Sequence, residues 1–172
     1  DLVLLGGGHA HALVLKKWAM DPLPGAQVTL VDPQVKAPYT GMLPGFVAGH
    51  YSRDDLDIDL VRLARQANAR LVIDHAIDID LEQKRVRLAN APDLAYDTLS
   101  IDVGITSGLM DLPGAAKHLV PAKPLGAFSR AWDDLIEAAR QQNDSPNIAI
   151  LGGGVAGVEL ALAMSYRLQT DL

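Results

Sequence analysis

Two stretches of the chain share one pattern of apolar and polar positions. Residues 2–8 read Leu-Val-Leu-Leu-Gly-Gly-Gly and residues 148–154 read Ile-Ala-Ile-Leu-Gly-Gly-Gly. Each is a short, wholly apolar run that ends in glycines and leads into helix-forming sequence. A continuous apolar run suits a strand buried on both faces of a parallel sheet. The pattern therefore predicts two strand–glycine loop–helix units in series. Between them, Ala10–Met20 reads as a helix stopped by Asp21-Pro22-Leu23-Pro24-Gly25. Gln27–Val31 reads as a second strand with Asp32 at its end, and residues 33–53, rich in Pro, Gly and Tyr, as an extended loop. Leu60, Val61, Leu63, Ala64 and Ala67 recur at helical spacing, with Ser52 as the expected cap ahead of the acidic 54–59 run. Leu71–Asp74, Ala76–Leu81 and Val86–Leu88 read as a small meander, and Asp97–Val103 as a strand leading into Gly104. Phe128, Ala131, Trp132, Leu135, Ile136 and Ala139 mark an amphipathic helix that ends before Pro146.

Composition narrows the chemistry. The 172 residues include no cysteine, so a disulfide framework, a Cys nucleophile and a dithiol shuttle are excluded within this stretch. Hydrophobic residues make up 49% and charged residues 21%, an ordinary globular balance. A formal charge of −6 argues against nucleic acid and polybasic membrane surfaces as partners. No apolar run is long enough to span a membrane, and a cytoplasmic setting is expected. A chain that opens at Asp1 reads as a trimmed or partial product.

The glycine loops carry the candidate chemistry. Gly152-Gly153-Gly154-Val155-Ala156-Gly157 fits G-x-G-x-x-G. Gly152 would permit the tight turn, Gly154 the approach of a pyrophosphate, and Gly157 close helix–strand packing. In the first loop Gly6 and Gly8 are present but His11 stands at the third glycine position. A side chain there is expected to hold the helix off its strand or to turn outward. Asp32 is placed to accept from a ribose hydroxyl, or else to cap a turn before Pro33. His9 and His11 lack a third ligand nearby, so no metal site is expected, and His9 reads as a dinucleotide contact.

Further segments extend the pattern. Gly6-Gly7-Gly8-His9-Ala10-His11, Pro38-Tyr39-Thr40-Gly41-Met42-Leu43-Pro44-Gly45, Tyr96–Gly104, Val120–Leu125 and the second loop with Val158-Glu159-Leu160-Ala161 together resemble the two-dinucleotide flavoproteins of the pyridine nucleotide-disulfide oxidoreductase superfamily. Within it they resemble an NADH-dehydrogenase-like branch whose members are sometimes fused to selenide, water dikinase. Asp102-Val103-Gly104 stands where that superfamily usually has Ala-Thr-Gly.

The resemblance implies an α/β fold. A Rossmann-like FAD-binding domain with a parallel sheet and a small β meander is expected over residues 1–108. A connection with an amphipathic helix over 109–145 and the start of a Rossmann-like NAD(P)-binding domain over 146–172 would follow. It implies FAD and NAD(P)H as cofactors and a hydride path from NAD(P)H through FAD to a second acceptor, a quinone for example. Gly6, Gly8, His9 and Ala10 would surround the FAD pyrophosphate, and Asp32 its ribose. Tyr39, Thr40, Gly41, Met42, Leu43 and Pro44 would approach the flavin, and Gly104 the phosphates or ribityl chain. Gly152, Gly154, Gly157 and Glu159 would serve the nicotinamide cofactor. The chain alone is then expected to be inactive with NADH. The rival reading is a non-catalytic dinucleotide module attached to another enzyme, such as selenophosphate synthetase.

Overall fold

Apolar runs separated by amphipathic helices build a parallel sheet. The computed structural model describes residues 1–105, 113–142 and 146–171 and divides into two units. Unit 1 comprises Asp1–Ala37 with Asp57–Gly104, and unit 2 comprises Pro38–Leu56 with Ile105–Leu172.

In unit 1 the sheet strands are β1 (Leu2–Leu5), β2 (Val28–Asp32), β5 (Arg70–Ile73) and β9 (Thr98–Ile101), in the order β5-β2-β1-β9. Every pairing in it is parallel, with Leu5 opposite Val31 on one side and Ile101 on the other. The short strands β3 (Lys36–Pro38) and β4 (Asp57–Asp59) pair with each other. Alternating side chains send Leu4, Val28 and Leu30 to a core shared with Leu15 and Leu60. Val3, Leu5 and Val31 face the opposite core with Val72, Val86 and Leu88. Leu15 comes from α1 (His9–Met20) and Leu60 from α3 (Leu60–Gln66).

Two expectations change here. The Leu71–Asp74 stretch does not join a meander. Its strand β5 follows α3 and pairs parallel with β2, because Leu60 and Ala64 give α3 a buried face against the sheet. The meander instead runs β6 (Ala76–Asp80), β7 (Arg85–Leu88) and β8 (Leu94–Ala95), all antiparallel. The cap of α3 is Asp59, whose Oδ1 accepts the Arg62 N–H at 2.9 Å. Ser52 lies ahead of a 3-10 turn, Asp54–Leu56, and donates to Asp55 Oδ2 from both its N–H and its hydroxyl. Those donors hold the Asp55 carboxyl below its ordinary value, the hydroxyl contributing most.

Unit 2 is helical. Residues 33–53 are not all loop: a 3-10 turn at Thr40–Met42 runs into α2 (Leu43–Val47). Leu43, Phe46 and Val47 are buried, which is what turns this Pro- and Gly-rich stretch into packed structure. They form a core with α5 (Leu125–Gln142), through Phe128, Trp132 and Ile136, and with α6 (Val155–Asp171), through Leu160 and Met164. Trp132 Nε1 donates to the Val47 carbonyl at 3.2 Å. A short α4 (Ala115–His118) precedes α5, and of the connection expected over 109–145, residues 109–112 and 143–145 lie outside the described residues. The strand expected at 148–151 does not form. Ile148, Ile150 and Leu151 remain 36%, 37% and 59% exposed, since no strand among the described residues pairs with them.

Candidate dinucleotide-binding site

The β1–α1 turn is built by three glycines, and none of them has room for a side chain: a Cβ on Gly7 would lie 2.4 Å from Leu60 Cδ1. Gly6 has φ +91°, and a Cβ there would lie 2.3 Å from the Asp102 carbonyl oxygen. The Gly6 N–H donates to Val31 O at 2.8 Å, and the Asp102 N–H donates to Leu5 O at 2.8 Å, so the turn is held by both neighbouring strands. A Cβ on Gly8 would lie 2.2 Å from Asp102 Oδ2. That carboxylate accepts the first-turn N–H groups of Ala10 at 3.1 Å and His11 at 3.4 Å. The amino end of α1 therefore holds an anion, as its unpaired N–H groups and dipole favour.

Asp32, at the C-terminal end of β2, receives the Gly7 N–H at 2.7 Å on Oδ2 and the Gln34 N–H at 2.7 Å on Oδ1. It is half-buried beside the turn, so both readings of its role have a basis: it ties the turn and keeps further lone pairs for a ligand.

His11 is not turned outward. It is buried, 2% exposed, with Nδ1 2.6 Å from Gly6 O and Nε2 2.8 Å from Ser100 Oγ. The carbonyl can only accept, so Nδ1 donates, and in the neutral ring Nε2 accepts the Ser100 hydroxyl proton. The imidazole fills the space the third glycine would leave open and bolts the turn to β9. His9, two residues earlier, is exposed, and the two rings point to different surroundings. Among the described residues no group of three His, Asp or Glu is placed to hold a metal ion.

Unit 1 thus brings Gly6, Gly8, His9, Ala10 and Asp32 together at the C-terminal ends of its parallel strands, where open α/β sheets bind ligands. Gly104, φ +74°, follows β9 in open surroundings. Sequence reasoning missed Asp102 and Ser100 as partners of the turn. The available signal was their place at the end of a strand bordering β1. A cavity of about 670 Å³ lies at the other, N-terminal end of the strands, lined by Trp18, Gln27, Val28 and Arg70, away from the glycines.

In unit 2, Tyr39 to Pro44 occupy the 3-10 turn and the start of α2. Gly41 makes room for the Tyr39 ring, which a Cβ would meet at 2.6 Å. The second glycine loop opens α6. Gly152 has φ +122°, and Gly157 packs so near that a Cβ would lie 2.1 Å from the Gly152 carbonyl oxygen. Gly154 is open, and Glu159 is exposed on α6. Gly152 and Gly157 line a cavity of about 470 Å³ with Trp132, Ile148, Ile150 and Met164.

The chain is 25% identical over 167 residues to the NADH dehydrogenase-like protein YutJ of Bacillus subtilis (strain 168), covering 93% of this chain and 43% of that protein. It is 25% identical over 174 residues to the demethylphylloquinone reductase NdbB of Synechocystis sp. (strain ATCC 27184 / PCC 6803 / Kazusa), covering 97% and 43%. The chain therefore spans less than half the length of these relatives. The sulfide:quinone oxidoreductase of Aquifex aeolicus shares its fold, with a TM-score of 0.74 at 20% identity, over 98% of this chain and 39% of that one. Residues 1–169 match the family described as pyridine nucleotide-disulphide oxidoreductase. The chain belongs to that family, whose typical cofactors are FAD and NAD(P)H.

Proposed function

We propose that the chain is the flavin-binding region and the opening of the nicotinamide-binding region of an NAD(P)H oxidoreductase that passes electrons to a quinone-type acceptor. The observation that carries this reading is the β1–α1 turn, with its anion-holding helix terminus and Asp32 at the end of the next strand. The residues fit a dinucleotide. The absence of a side chain at Gly8 leaves the amino end of α1 open to a charged oxygen, and a carboxylate already satisfies those donors. Bound FAD would supply the electron-carrying chemistry between nicotinamide and acceptor.

The chain's own residues bind and orient. Gly6 sets the turn, Gly8, His9 and Ala10 face the pyrophosphate, and Asp32 accepts from the ribose. Gly104 lies beside the phosphates or ribityl chain in this reading. Tyr39, Thr40, Gly41, Met42, Leu43 and Pro44 are assigned to the flavin on the resemblance of their segment. Gly152, Gly154, Gly157 and Glu159 are assigned to the nicotinamide cofactor. In domain terms residues 1–108 would bind FAD, 109–145 connect, and 146–172 begin the NAD(P)-binding domain. The name of the Synechocystis relative supports a quinone as acceptor. A cytoplasmic setting is part of the proposal, and no helix among the described residues is long and apolar enough to cross a membrane.

The test is FAD uptake by the flavin-free chain, followed by quenching of flavin fluorescence. Saturable uptake of one FAD per chain is expected, and no uptake would overturn the reading. Because residues 148–151 pair with nothing described, this chain alone is expected not to oxidise NADH. In the longer protein, NADH is expected to bleach the bound flavin anaerobically.

A further inference from the structure

We infer that Asp102 is an internal competitor for the phosphate cradle, so that its carboxylate sets how tightly the chain holds FAD. The inference rests on the flavin reading above and names a residue that opposes it. Gly8, which precedes α1, has no side chain to cap the helix. The cap arrives instead from the end of β9, where Asp102 lends Oδ2 to the N–H groups of Ala10 and His11. The Asp102 backbone is fixed on both sides of the same turn. Its N–H donates to Leu5 O at 2.8 Å, and its carbonyl accepts from Gly8 N at 3.3 Å. The carboxylate thus stands in the space that Gly8 keeps clear of a side chain.

A pyrophosphate oxygen that approaches the amino end of α1 needs those same donors. Two anions on one set of N–H groups repel, and at a partly buried site the repulsion is only weakly screened. With the Asp102 backbone held by Leu5 and Gly8, the side chain is the part that moves, swinging away about its own torsions. Entry of the cofactor therefore sets the loss of one carboxylate cap against the gain of a phosphate. The same residue that steadies the turn without flavin weakens the turn's hold on flavin. A residue that acted only as a structural cap would do the first and not the second.

The experiment is FAD titration into flavin-free chain, by fluorescence quenching, for wild type, Asp102→Asn and Asp102→Ser, together with thermal unfolding with and without FAD. Asp21→Asn, which removes an exposed charge paired with Lys17, controls for net charge. Both Asp102 variants are expected to bind FAD roughly tenfold tighter than wild type. They are also expected to melt lower without FAD and to gain more on its addition, while Asp21→Asn follows wild type. Unchanged or weaker binding in both Asp102 variants would overturn the inference while leaving the flavin reading intact. No uptake by wild type or any variant would overturn the flavin reading and the inference with it.

Discussion

Asp32 Oδ2 accepts the backbone N–H of Gly7 at 2.7 Å, joining the end of β2 to the glycine turn after β1. The contact is close enough that a Cβ on Gly7 would lie 3.0 Å from the same oxygen. One carboxylate therefore fixes the shape of the turn and stands beside the site where a dinucleotide ribose would lie.

Asp32→Ala removes both functions. FAD affinity is expected to fall by about 1–3 kcal/mol, or roughly fivefold to 150-fold, the scale of losing hydrogen bonds to a charged acceptor. Fluorescence titration measures it. An affinity equal to wild type would show that Asp32 serves the turn alone.

Glycines in the two loops are expected to differ sharply. Gly6→Ala meets the Asp102 backbone at a positive φ and should cost more than about 2 kcal/mol in urea unfolding. Gly154→Ala meets nothing within 4 Å and has no positive φ, so its cost should stay within about 0.5 kcal/mol. Any loss of NAD(P)H binding by Gly154→Ala in the longer protein would then report on the site rather than on folding.

His11→Gly would restore the usual third glycine of the pattern, yet it is expected to destabilise. It empties a buried site, leaves the Gly6 carbonyl and Ser100 hydroxyl without their partner, and adds a glycine to the first turn of α1. A loss of about 2–4 kcal/mol in urea unfolding is expected. A neutral result would contradict this.

His11 also marks where sequence stopped being informative. The buried strands β1 and β2, α1, and the face of α5 were legible because their patterns are local and periodic. The direction of the His11 side chain was not, because its partner Ser100 lies 89 residues away on β9. Asp102 escaped for the same reason. Ile148–Leu151 shows the opposite failure: its local pattern is that of a buried strand, but a strand requires neighbours as well as pattern. The β5 stretch looks like meander in the sequence because its parallel partner β2 is about 40 residues distant.

Asp74 supplies a pH-dependent term away from the glycine turns. Its buried carboxylate accepts the N–H groups of His75, Asn90 and Ala91 and the Asn90 side-chain amide, at 2.7, 2.8, 2.7 and 3.0 Å. The Ala91 N–H is the largest of the effects that bring its pKa down from 3.8 to about 2, against the opposing effect of burial. A depressed folded-state pKa means the native protein favours the ionised form more than the unfolded chain does. The resulting stabilisation is complete above the unfolded value and is lost as pH falls from there through about 2. Asp74→Asn, which gives up one acceptor oxygen for a donor, should therefore be less stable than wild type at pH 6, with the gap closing below pH 4. Thermal unfolding of both proteins from pH 6 down to pH 2 tests this, and a gap that stays constant over that range would contradict it. Because Asp74 sits between β5 and β6 and gathers the Asn90–Ala91 loop, the same change should leave FAD uptake at neutral pH unaltered.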